Sequence, residues 1–362
     1  MTNGQIGRIM KKDSYTGNSE ALVLPPGRIT QRQLAKLAGV SMTTIYNSLH
    51  QPELVKEKTL KRLKEIMQQC DYSPDALAQA MVRGKSNIIG VVVPRLDVLY
   101  FAKLVCEIES TAGENGYKCL ITQHRDDPTK ALECVRLLQQ YRADGVVLRC
   151  CSQSSDLDVV RKVQQFHLPF VLLDEEISGF ESYRVGGDDL NDAKNAMDML
   201  LKHGHRRIAY LAWHSADSSD LGPRFSGYTS KLQDAGLLVD ASLIERCANE
   251  YGSGQKEIKA LLARNRQNPP TAVFCHNDQS ALGALLGLHE LGIRVPEDIS
   301  VVGFGGYQDL SWLVKPLTTV RQDLANIARK SCEVLIAQIE DGLVPSGPYR
   351  IPGQMIAGTT MR

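Results

Sequence analysis

The chain has 362 residues, of which 43% are hydrophobic and 23% are charged, with nine cysteines and a formal net charge of +1. This composition is typical of soluble globular proteins of about two to three domains, and it excludes a collagen-like, coiled-coil or wholly disordered chain. No run approaches the roughly 18 apolar residues of a membrane span, and no cysteines form a CxxC pair, so we expect a cytoplasmic protein without structural disulfides or a thiolate zinc site.

Residues 1–27 lack hydrophobic periodicity, carry Lys11 and Lys12 where a signal peptide needs an apolar stretch, and end in Pro-Pro-Gly. We therefore expect a disordered arm. Residues 28–86 hold ten basic and five acidic side chains, a net charge of +5, whereas residues 87–362 carry a net charge of −5. This asymmetry suggests that only the N-terminal part meets a polyanion such as nucleic acid.

Two short helices joined by a tight turn are predicted after the arm. Thr30 can cap the first helix, and Gly39 can adopt the positive φ that ends it. Ser41 can cap a second helix, Met42 to Leu49. This arrangement favours a helix-turn-helix, in which the second helix enters the major groove of DNA; a plain helical hairpin is the alternative.

A third helix, about Glu57 to Gln69, presents one apolar and one lysine-rich face. It completes a predicted domain at residues 28–73. A short alanine-rich helical stretch, Asp75 to Val82, and a polar linker, Arg83 to Ser86, then lead into the rest of the chain.

From Ile88 onward, short apolar runs alternate with amphipathic helices. The predicted strands are Ile88–Val93, Cys119–Thr122, Gly145–Leu148, Phe170–Leu173, Ile208–Ala212, Ala272–Cys275 and Ser300–Phe304. Apolar strands that alternate with helices indicate parallel sheets buried on both faces. The length of this region fits two α/β subdomains better than one.

Seven blocks of sequence follow one another in a recognisable order. They are Ile29–Ile45, Tyr72–Met81, Ile89–Pro94, His203–Ala209, Phe274–Gly283, Asp298–Phe304 and Pro316–Val320. A chain with these blocks resembles the lactose-repressor/galactose-repressor (LacI/GalR) family. The resemblance implies a DNA-binding transcriptional regulator that has no cofactor and does not involve a membrane. It is expected to form a homodimer, with a tetramer as the alternative, and to bind a palindromic operator and a small-molecule effector. A repressor is expected, and an activator is the alternative.

The resemblance also implies the architecture. The fold class is α/β, with an N-terminal helix-turn-helix DNA-binding domain and a body similar to periplasmic sugar-binding proteins, built of two α/β subdomains that close on an effector. The predicted boundaries are an arm at 1–27, a DNA-binding domain at 28–73, a hinge helix and linker at 74–86, an N-subdomain at 87–187 and 322–347, and a C-subdomain at 188–321 and 348–362.

When the family's DNA-contacting positions are carried over to this sequence, four of them fall on the second helix. Thr43 and Asn47 can hydrogen-bond base edges, whereas Met42 can only pack on a thymine methyl group. Tyr46 stands where the family usually has serine, so it contacts a phosphate or packs within the domain. The alternative for each of these side chains is an exposed surface residue without a role.

Further DNA contacts are expected at the third helix and at the hinge. Lys56, Lys58 and Thr59 lie near the start of the third helix, where phosphate contacts set register but not sequence. In the family, a hinge leucine wedges into the minor groove, and Met81 occupies that position here. Ala78 allows close approach of paired hinge helices; a mere linker helix is the alternative.

The effector candidates combine the resemblance with strand-end positions. Tyr100 and Phe101 match a family position where aromatic rings stack on the ligand, and Arg224 matches an arginine that binds effector hydroxyls or carboxylates in many members. Arg149 lies at a strand end and adds a second cation; the alternative is that it points to solvent or bridges the dimer. Asn277 and Asp278 follow an apolar strand.

The effector itself is predicted from a departure from the family pattern. The usual Gly-Tyr/Phe-Asp-Asp is Gly-Phe-Gly-Gly at residues 303–306, so the acid that commonly holds sugar hydroxyls is missing. A pocket that loses a carboxylate and has two arginines favours an anion, because guanidinium binds carboxylate bidentately. We therefore predict a sugar acid such as gluconate, as in the gluconate-repressor branch that this stretch resembles. The alternatives are a neutral sugar or a nucleoside.

An enzyme is the main rival from another class. The sequence has no GxGxxG after the first strand of the body, and it has no GxxxxGK[ST], HExxH or GxSxG motif. Cys275 and His276 could be imagined as a thiol and a base, but adjacent residues at a strand end point to opposite faces. We predict no catalytic residues and no metal site. A solute-binding transport protein would share the body but not the DNA-binding head.

Overall fold

A computed structural model of the chain describes residues 8–9, 22–23, 29–73, 80, 84–151, 156–174, 177, 184–213, 221–247, 253–306, 315–343 and 347–362. The chain divides into two compact units, one up to Gly84 and one from Lys85 onward. Across these described ranges, no helix combines the length and the apolar character that crossing a membrane requires.

The first unit begins with a short antiparallel pair, β1 (Arg8–Ile9) with β2 (Leu22–Val23). These four residues are paired, although residues 1–27 are predicted to be disordered. The remainder of the predicted arm lies outside the described residues. Strands of two residues are too short to show a hydrophobic periodicity, so the sequence does not reveal this pair.

Three helices follow, and they confirm the predicted helix-turn-helix. They are α1 (Gln31–Ala38), α2 (Met42–His50) and α3 (Glu57–Gln69), with a 3-10 turn at Pro52–Leu54 between α2 and α3. Leu34, Ile45 and Leu63, one from each helix, are buried together in the centre of the domain.

Local chemistry sets the helix boundaries. Thr30 and Gln33 form a capping box at the start of α1, and the backbone N–H of Gln33 donates to Thr30 Oγ1 over 3.3 Å. Gly39 ends α1 with a φ of 63°, which glycine adopts without steric cost. Ser41 caps α2 by accepting a hydrogen bond from the N–H of Thr44 at 3.1 Å.

The second unit contains two six-stranded sheets. The strands of the first sheet are β3 (Ile88–Val93), β4 (Lys118–Gln123), β5 (Gly145–Leu148), β6 (Phe170–Leu173), β7 (Arg184–Gly187) and β13 (Tyr349–Ile351). The strands of the second sheet are β8 (Ile208–Trp213), β9 (Ile244–Cys247), β10 (Ala272–Cys275), β11 (Ser300–Gly305), β12 (Thr318–Arg321) and β14 (Gln354–Ile356). The first sheet has the order β13-β7-β6-β5-β3-β4 with every pair parallel, and the second has the order β14-β12-β11-β10-β8-β9, parallel except for β14 against β12.

Helices cover both faces of each sheet, which explains why interior strands such as β3, β5, β6 and β10 are continuous apolar runs. On the first sheet, α4 (Leu99–Glu114) and α11 (Leu324–Asp341) pack on one face, and α5 (Pro128–Gln140) and α6 (Asp156–Gln165) on the other. On the second sheet, α7 (Asp189–Lys202) and α8 (Gly222–Asp234) pack on one face, and α9 (Gln255–Arg264) and α10 (Asp278–Glu290) on the other. The predicted body of two α/β subdomains is confirmed.

The described chain passes between the two sheets after β7, after β12 and after β13. Strand β13 pairs in parallel with β7 at the edge of the first sheet, with Tyr349 opposite Val185. The boundary predicted at 348 is therefore displaced to residues 352–353. Sequence periodicity does not reveal this strand, because it is short and contains an arginine.

Candidate functional site

Three side chains meet at the carboxyl edge of the first sheet. The hydroxyl of Tyr100 donates to Asp174 Oδ2 over 2.8 Å, and Arg149 Nε lies 3.9 Å from the same oxygen. Arg149 and Asp174 directly follow the neighbouring parallel strands β5 and β6, so the fold brings them together at the edge where such sheets bind ligands. Phe101, predicted with Tyr100, packs against the core of the first sheet, with its ring edge-to-face against Tyr100 at 5.1 Å.

A second group belongs to the other subdomain and to a crossing segment. Arg224 on α8 donates from Nε to Asp189 Oδ2 over 3.0 Å and from Nη1 to the carbonyl of His276 over 2.6 Å. Its guanidinium lies 3.9 Å from the centre of the Phe304 ring. Gln322 donates to the other oxygen of Asp189 at 3.0 Å. Arg224, only 13% exposed, is therefore fixed by an ion pair, a carbonyl and an aromatic face.

The two groups act on each other electrostatically. Burial raises the pKa of the Asp174 carboxyl, with Arg149 opposing this and Asp189 adding to it. Burial likewise raises the pKa of the Tyr100 phenol well above its ordinary value, and Asp174 and Asp189 reinforce this effect. We call Arg149, Asp174, Asp189 and Arg224 the Arg–Asp cluster. With two guanidinium groups and two carboxylates it has no net formal charge.

Although the family's acid is absent at residues 305 and 306, the two arginines are not without carboxylates, because Arg149 lies beside Asp174 and Arg224 pairs with Asp189. The Gly-Phe-Gly-Gly stretch has a steric explanation. Gly306 adopts a φ of 70°, and a Cβ there would lie 2.2 Å from Arg321 Cα. Close approach of β11 to β12 therefore requires glycine at this position.

The Asn-Asp pair that follows β10 contributes to the start of helix α10, and its role in effector binding stays a prediction. Asn277 caps α10 by accepting a hydrogen bond from the N–H of Ser280 at 2.8 Å. Asp278 is fully buried and accepts a hydrogen bond from the Thr319 hydroxyl at 2.5 Å. Both side chains serve the start of α10 and its packing against β12.

The neighbouring Cys275 and His276 do not form a nucleophile and base. Cys275 is buried in the core of the second sheet, and this burial raises the pKa of its thiol well above the usual value. Burial and then Arg224 hold the pKa of the His276 imidazole well below its usual range. The His276 ring stacks on Trp213 at 6.2 Å, with Nδ1 3.3 Å from the hydroxyl of Tyr210.

Sequence reasoning missed four polar residues beside its candidates: Asp174, Asp189, His276 as an arginine partner, and Gln322. A signal for Asp174 was available, because it directly follows a predicted strand, as Arg149 does. Asp189 and Gln322 follow β7 and β12 at the crossings between sheets, and neither strand was among the predicted ones.

The DNA-binding candidates on α2 lie on its solvent side. Met42 and Thr43 are exposed at the first turn, and Tyr46 is exposed one turn later. Asn47 is partly exposed. Ile45 faces inward and is fully buried. All four predicted side chains are therefore accessible to a partner.

The candidates at the start of α3 are accessible as well. Lys56 immediately precedes α3, Lys58 is exposed in its first turn, and Thr59 is partly exposed beside it. Residues 29–73 hold seven basic and four acidic side chains, which gives this part a net charge of +3. The hinge candidates Ala78 and Met81 lie outside the described residues.

Comparison with known families gives two matches that divide the chain as the structure does. Residues 31–75 match the family described as bacterial regulatory proteins, lacI family. Residues 197–361 match the periplasmic binding protein-like domain. The first match covers the three-helix domain, and the second covers all six strands of the second sheet together with α11 and β13 of the first.

Similar proteins include the HTH-type transcriptional repressor PurR of Vibrio atlanticus, 29% identical over 86% of this chain and 92% of the relative. The PurR repressor of Haemophilus influenzae is 28% identical over 86% and 91%. A solved structure of the lac repressor dimer bound to operator and the anti-inducer ONPF superposes with a TM-score of 0.82. It is 26% identical and covers 92% of this chain and 99% of that chain.

Proposed function

Because this chain belongs to the LacI family of transcriptional regulators, we propose that it is a repressor whose homodimer binds a palindromic operator under the control of a small effector. The helix-turn-helix supplies the operator contacts, and the body binds the effector. The single observation that carries this proposal is the exposed side of α2, where Met42, Thr43, Tyr46 and Asn47 extend from a capped helix in a basic domain.

The chemistry of the side chains divides the proposed DNA contacts into base contacts and phosphate contacts. Thr43 and Asn47 carry hydrogen-bonding groups suited to base edges, and Lys56 and Lys58 carry charges suited to phosphates. Relatives support the repressor and dimer parts: two similar proteins are named transcriptional repressors, and a similar structure is a dimer bound to operator.

For the effector we propose the Arg–Asp cluster as the binding site. Equal numbers of carboxylates and guanidinium groups suit an uncharged ligand with neighbouring hydrogen-bond donors and acceptors, such as a neutral sugar or a nucleoside. Hydroxyl groups can donate to Asp174 and Asp189 and accept from Arg149 and Arg224. A sugar acid such as gluconate, preferred from the sequence, would have to displace a carboxylate that each arginine already faces.

The first experiment selects binding sequences for the full-length protein from a random 24-base-pair library and measures affinity at 50 and 200 mM salt. We expect palindromic sequences whose affinity falls steeply with salt, because phosphate neutralisation releases counterions. Failure to enrich any sequence contradicts the proposal.

The second experiment screens neutral sugars, nucleosides and gluconate by thermal shift, since a ligand at 100 times its Kd stabilises by about 2.7 kcal/mol. Asp189→Asn separates the two ligand classes. A neutral ligand loses an acceptor and binds more weakly to the variant, whereas an acid gains a freed Arg224 and binds more tightly. Tighter gluconate binding by Asp189→Asn would restore the sugar acid as the effector.

A further inference from the structure

A thiol and an imidazole lie side by side at the carboxyl edge of the first sheet. Cys151 Sγ is 3.3 Å from His124 Nδ1. His124 directly follows β4, and Cys151 follows β5 after two intervening residues. The thiol is 3% exposed and the imidazole is fully buried. The fold thus places a nucleophile and a base within reach of each other, although the two residues are far apart in the sequence.

Two backbone groups fix where the proton of the His124 ring resides. The N–H of Asp126 donates to His124 Nδ1 over 3.2 Å, so Nδ1 carries a lone pair. The carbonyl of Arg149 lies 2.9 Å from Nε2 and can only accept, so Nε2 carries the proton. The Cys151 thiol is therefore the donor and Nδ1 the acceptor between the two side chains. Burial lowers the pKa of the His124 imidazole, which keeps the ring neutral and able to take a proton.

Backbone hydrogen bonds also hold both residues in place. The N–H of Cys151 donates to Oδ1 of Asp156, the first residue of α6, at 3.0 Å. The N–H of His124 donates to the carbonyl of Val93 at 3.1 Å. A nucleophile that contacts a base, with the base oriented by a third group, is the arrangement that activates thiols and hydroxyls in proteins. The third group here is the Arg149 carbonyl.

We propose that Cys151 is a modification site for hydrogen peroxide, which oxidises its thiol to a sulfenic acid with His124 as the base. The thiol proton moves to Nδ1 as the sulfur attacks one peroxide oxygen. An S–O bond forms, the O–O bond breaks, and the leaving hydroxide takes the proton from Nδ1 and departs as water. Sulfur loses the two electrons that the peroxide gains, so one thiol and one hydrogen peroxide give one sulfenic acid and one water.

The burial of the pair selects the oxidant. Because the imidazole is fully buried and the thiol is 3% exposed, only a molecule not much larger than water can reach the sulfur. Hydrogen peroxide meets this condition. Cumene hydroperoxide has the same reactive group on a phenyl-bearing carbon, so it is expected to oxidise Cys151 at least about tenfold more slowly than hydrogen peroxide does.

The position of Cys151 brings this chemistry next to the Arg–Asp cluster. The imidazole that accepts the thiol proton contacts the carbonyl of Arg149 through its other nitrogen. Arg149 Nη1 in turn donates to the carbonyl of Cys150 at 3.2 Å. A sulfenic acid at residue 151 therefore forms in the segment that carries the Arg149 side chain. The inference goes beyond the proposed function, because the reaction requires neither DNA nor effector.

The test compares thiols within the reduced full-length protein. Samples are treated with hydrogen peroxide at pH 6 and pH 8 and unfolded at intervals in urea that contains dimedone and iodoacetamide, so that burial does not limit labelling. Mass spectrometry then gives the rate of sulfenic acid formation at each cysteine. Cys275 is buried in an apolar core, and we expect Cys151 to react at least about tenfold faster than Cys275 at both pH values.

The pH dependence reports on the base. Cys106 is exposed, and an exposed thiol reacts as its thiolate, so its rate should rise steeply from pH 6 to pH 8. Cys151 passes its proton to a neutral imidazole instead. Its rate should therefore change by less than about threefold over the same range. A rate at Cys151 that rises in parallel with the rate at Cys106 would overturn the role of His124.

A substitution of the base provides the second test. His124→Gln keeps a side chain that can donate to the Arg149 carbonyl but has no basic nitrogen, so it should lower the rate at Cys151 at least about tenfold. His205→Gln is the matched control. His205 is also buried, and its Nδ1 lies 2.9 Å from the Thr271 hydroxyl in the second subdomain. This variant should leave the rate at Cys151 unchanged.

The outcomes decide the proposal independently of the repressor function. Equal rates at Cys151 and Cys275 would overturn it, as would equal rates of Cys151 oxidation in wild type and a folded His124→Gln variant. Oxidation of Cys151 by cumene hydroperoxide as fast as by hydrogen peroxide would contradict a buried, size-selective site. If His124→Gln does not fold, the wild-type comparison of Cys151 with Cys275 and the pH profile still decide.

Discussion

Arg224 donates from Nε to Asp189 Oδ2 over 3.0 Å, and this ion pair joins helix α8 to the first turn of helix α7. The two side chains are 13% and 19% exposed, so neither charge is well solvated. Each of the two charges is therefore stabilised mainly by the other.

Removing one partner of this pair should therefore destabilise the protein more than removing both. Arg224→Met leaves the Asp189 carboxylate without its guanidinium and should lower the free energy of unfolding by about 3 kcal/mol. Adding Asp189→Asn to that variant should restore more than half of the loss. Urea denaturation of the two variants measures the difference, and an equal or larger loss in the double variant would contradict this account.

Asp192 should make stability depend on pH. Its carboxyl is buried and accepts a hydrogen bond from the N–H of Gly353 at 2.8 Å. Burial raises its pKa to about 6, with further contributions from Asp189 and Asp188. Since the unfolded chain has a pKa near 3.9, the folded state binds more protons between about pH 4 and 6, and stability falls as pH rises through that window.

Asp192→Asn should remove this fall while keeping an acceptor for Gly353. Relative to wild type, the variant should gain about 2 kcal/mol of stability between pH 4.5 and pH 7.5. Urea denaturation at the two pH values measures the gain. Asp158→Asn, which changes an exposed carboxyl of α6, is the control and should follow the wild-type curve. A variant that tracks wild type at both pH values would exclude Asp192 as the source.

Two glycines with similar positive φ angles should respond differently to alanine. Gly39 has a φ of 63° and nothing within 4 Å of an added Cβ, so Gly39→Ala should cost only the backbone strain, about 1 kcal/mol. Gly306 has a φ of 70°, and its added Cβ meets the backbone of Arg321. Gly306→Ala should cost at least about 3 kcal/mol more. Similar thermal midpoints for both variants would refute the steric explanation of the Gly-Phe-Gly-Gly stretch.

Asp144 should protect the start of the second unit from proteolysis. Its carboxylate accepts hydrogen bonds from the N–H groups of Ser86 and Asn87 at 2.9 and 2.7 Å, and from the Ser86 hydroxyl at 3.0 Å. Asp144→Ala leaves both amides without this acceptor, so trypsin should cleave after Lys85 about tenfold faster. Mass spectrometry of the fragments locates the cut, and an unchanged rate at this bond would show that other contacts hold the segment.

Substitutions in the DNA-binding domain should separate base contacts from phosphate contacts. Thr43→Ala should relax base preference at one symmetric position at a cost of about 1 to 3 kcal/mol per half-site. Lys58→Ala should weaken all sequences alike and reduce the slope of affinity against salt by about one per half-site. Repeating the library selection with each variant checks both expectations. Equal changes in sequence preference would mean that the two classes of contact are wrongly assigned.

The sequence predicts well the helix boundaries and strands that depend on only a few neighbouring residues. The start of α1 follows from Thr30 and its end from Gly39, and both signals act within four residues. Strand β3 was predicted at Ile88–Val93 and is found there, because a parallel strand buried on both faces is apolar throughout. In these places local propensity and the final packing agree.

The sequence predicts poorly the side-chain contacts between segments that are distant in the chain and become neighbours only in the fold. Arg149 was identified as a cation, but its proximity to Asp174 depends on β5 pairing with β6, and the partner of Arg224 comes from a crossing segment. The Asn277-Asp278 pair shows a second ambiguity of the sequence. A polar pair after a strand can bind a ligand or start a helix, and only the three-dimensional arrangement distinguishes the two roles.

The late position of β13 in the chain has a consequence for synthesis on the ribosome. The edge strand of the first sheet, Tyr349–Ile351, is translated after five of the six strands of the second sheet. A nascent chain can therefore build the interior of its first sheet early but cannot close that edge until nearly all of the second has emerged. No single cut in the gene would yield two separately complete subdomains, because strands β8 to β12 of the second sheet lie in the chain between the first five strands of the first sheet and its edge strand β13.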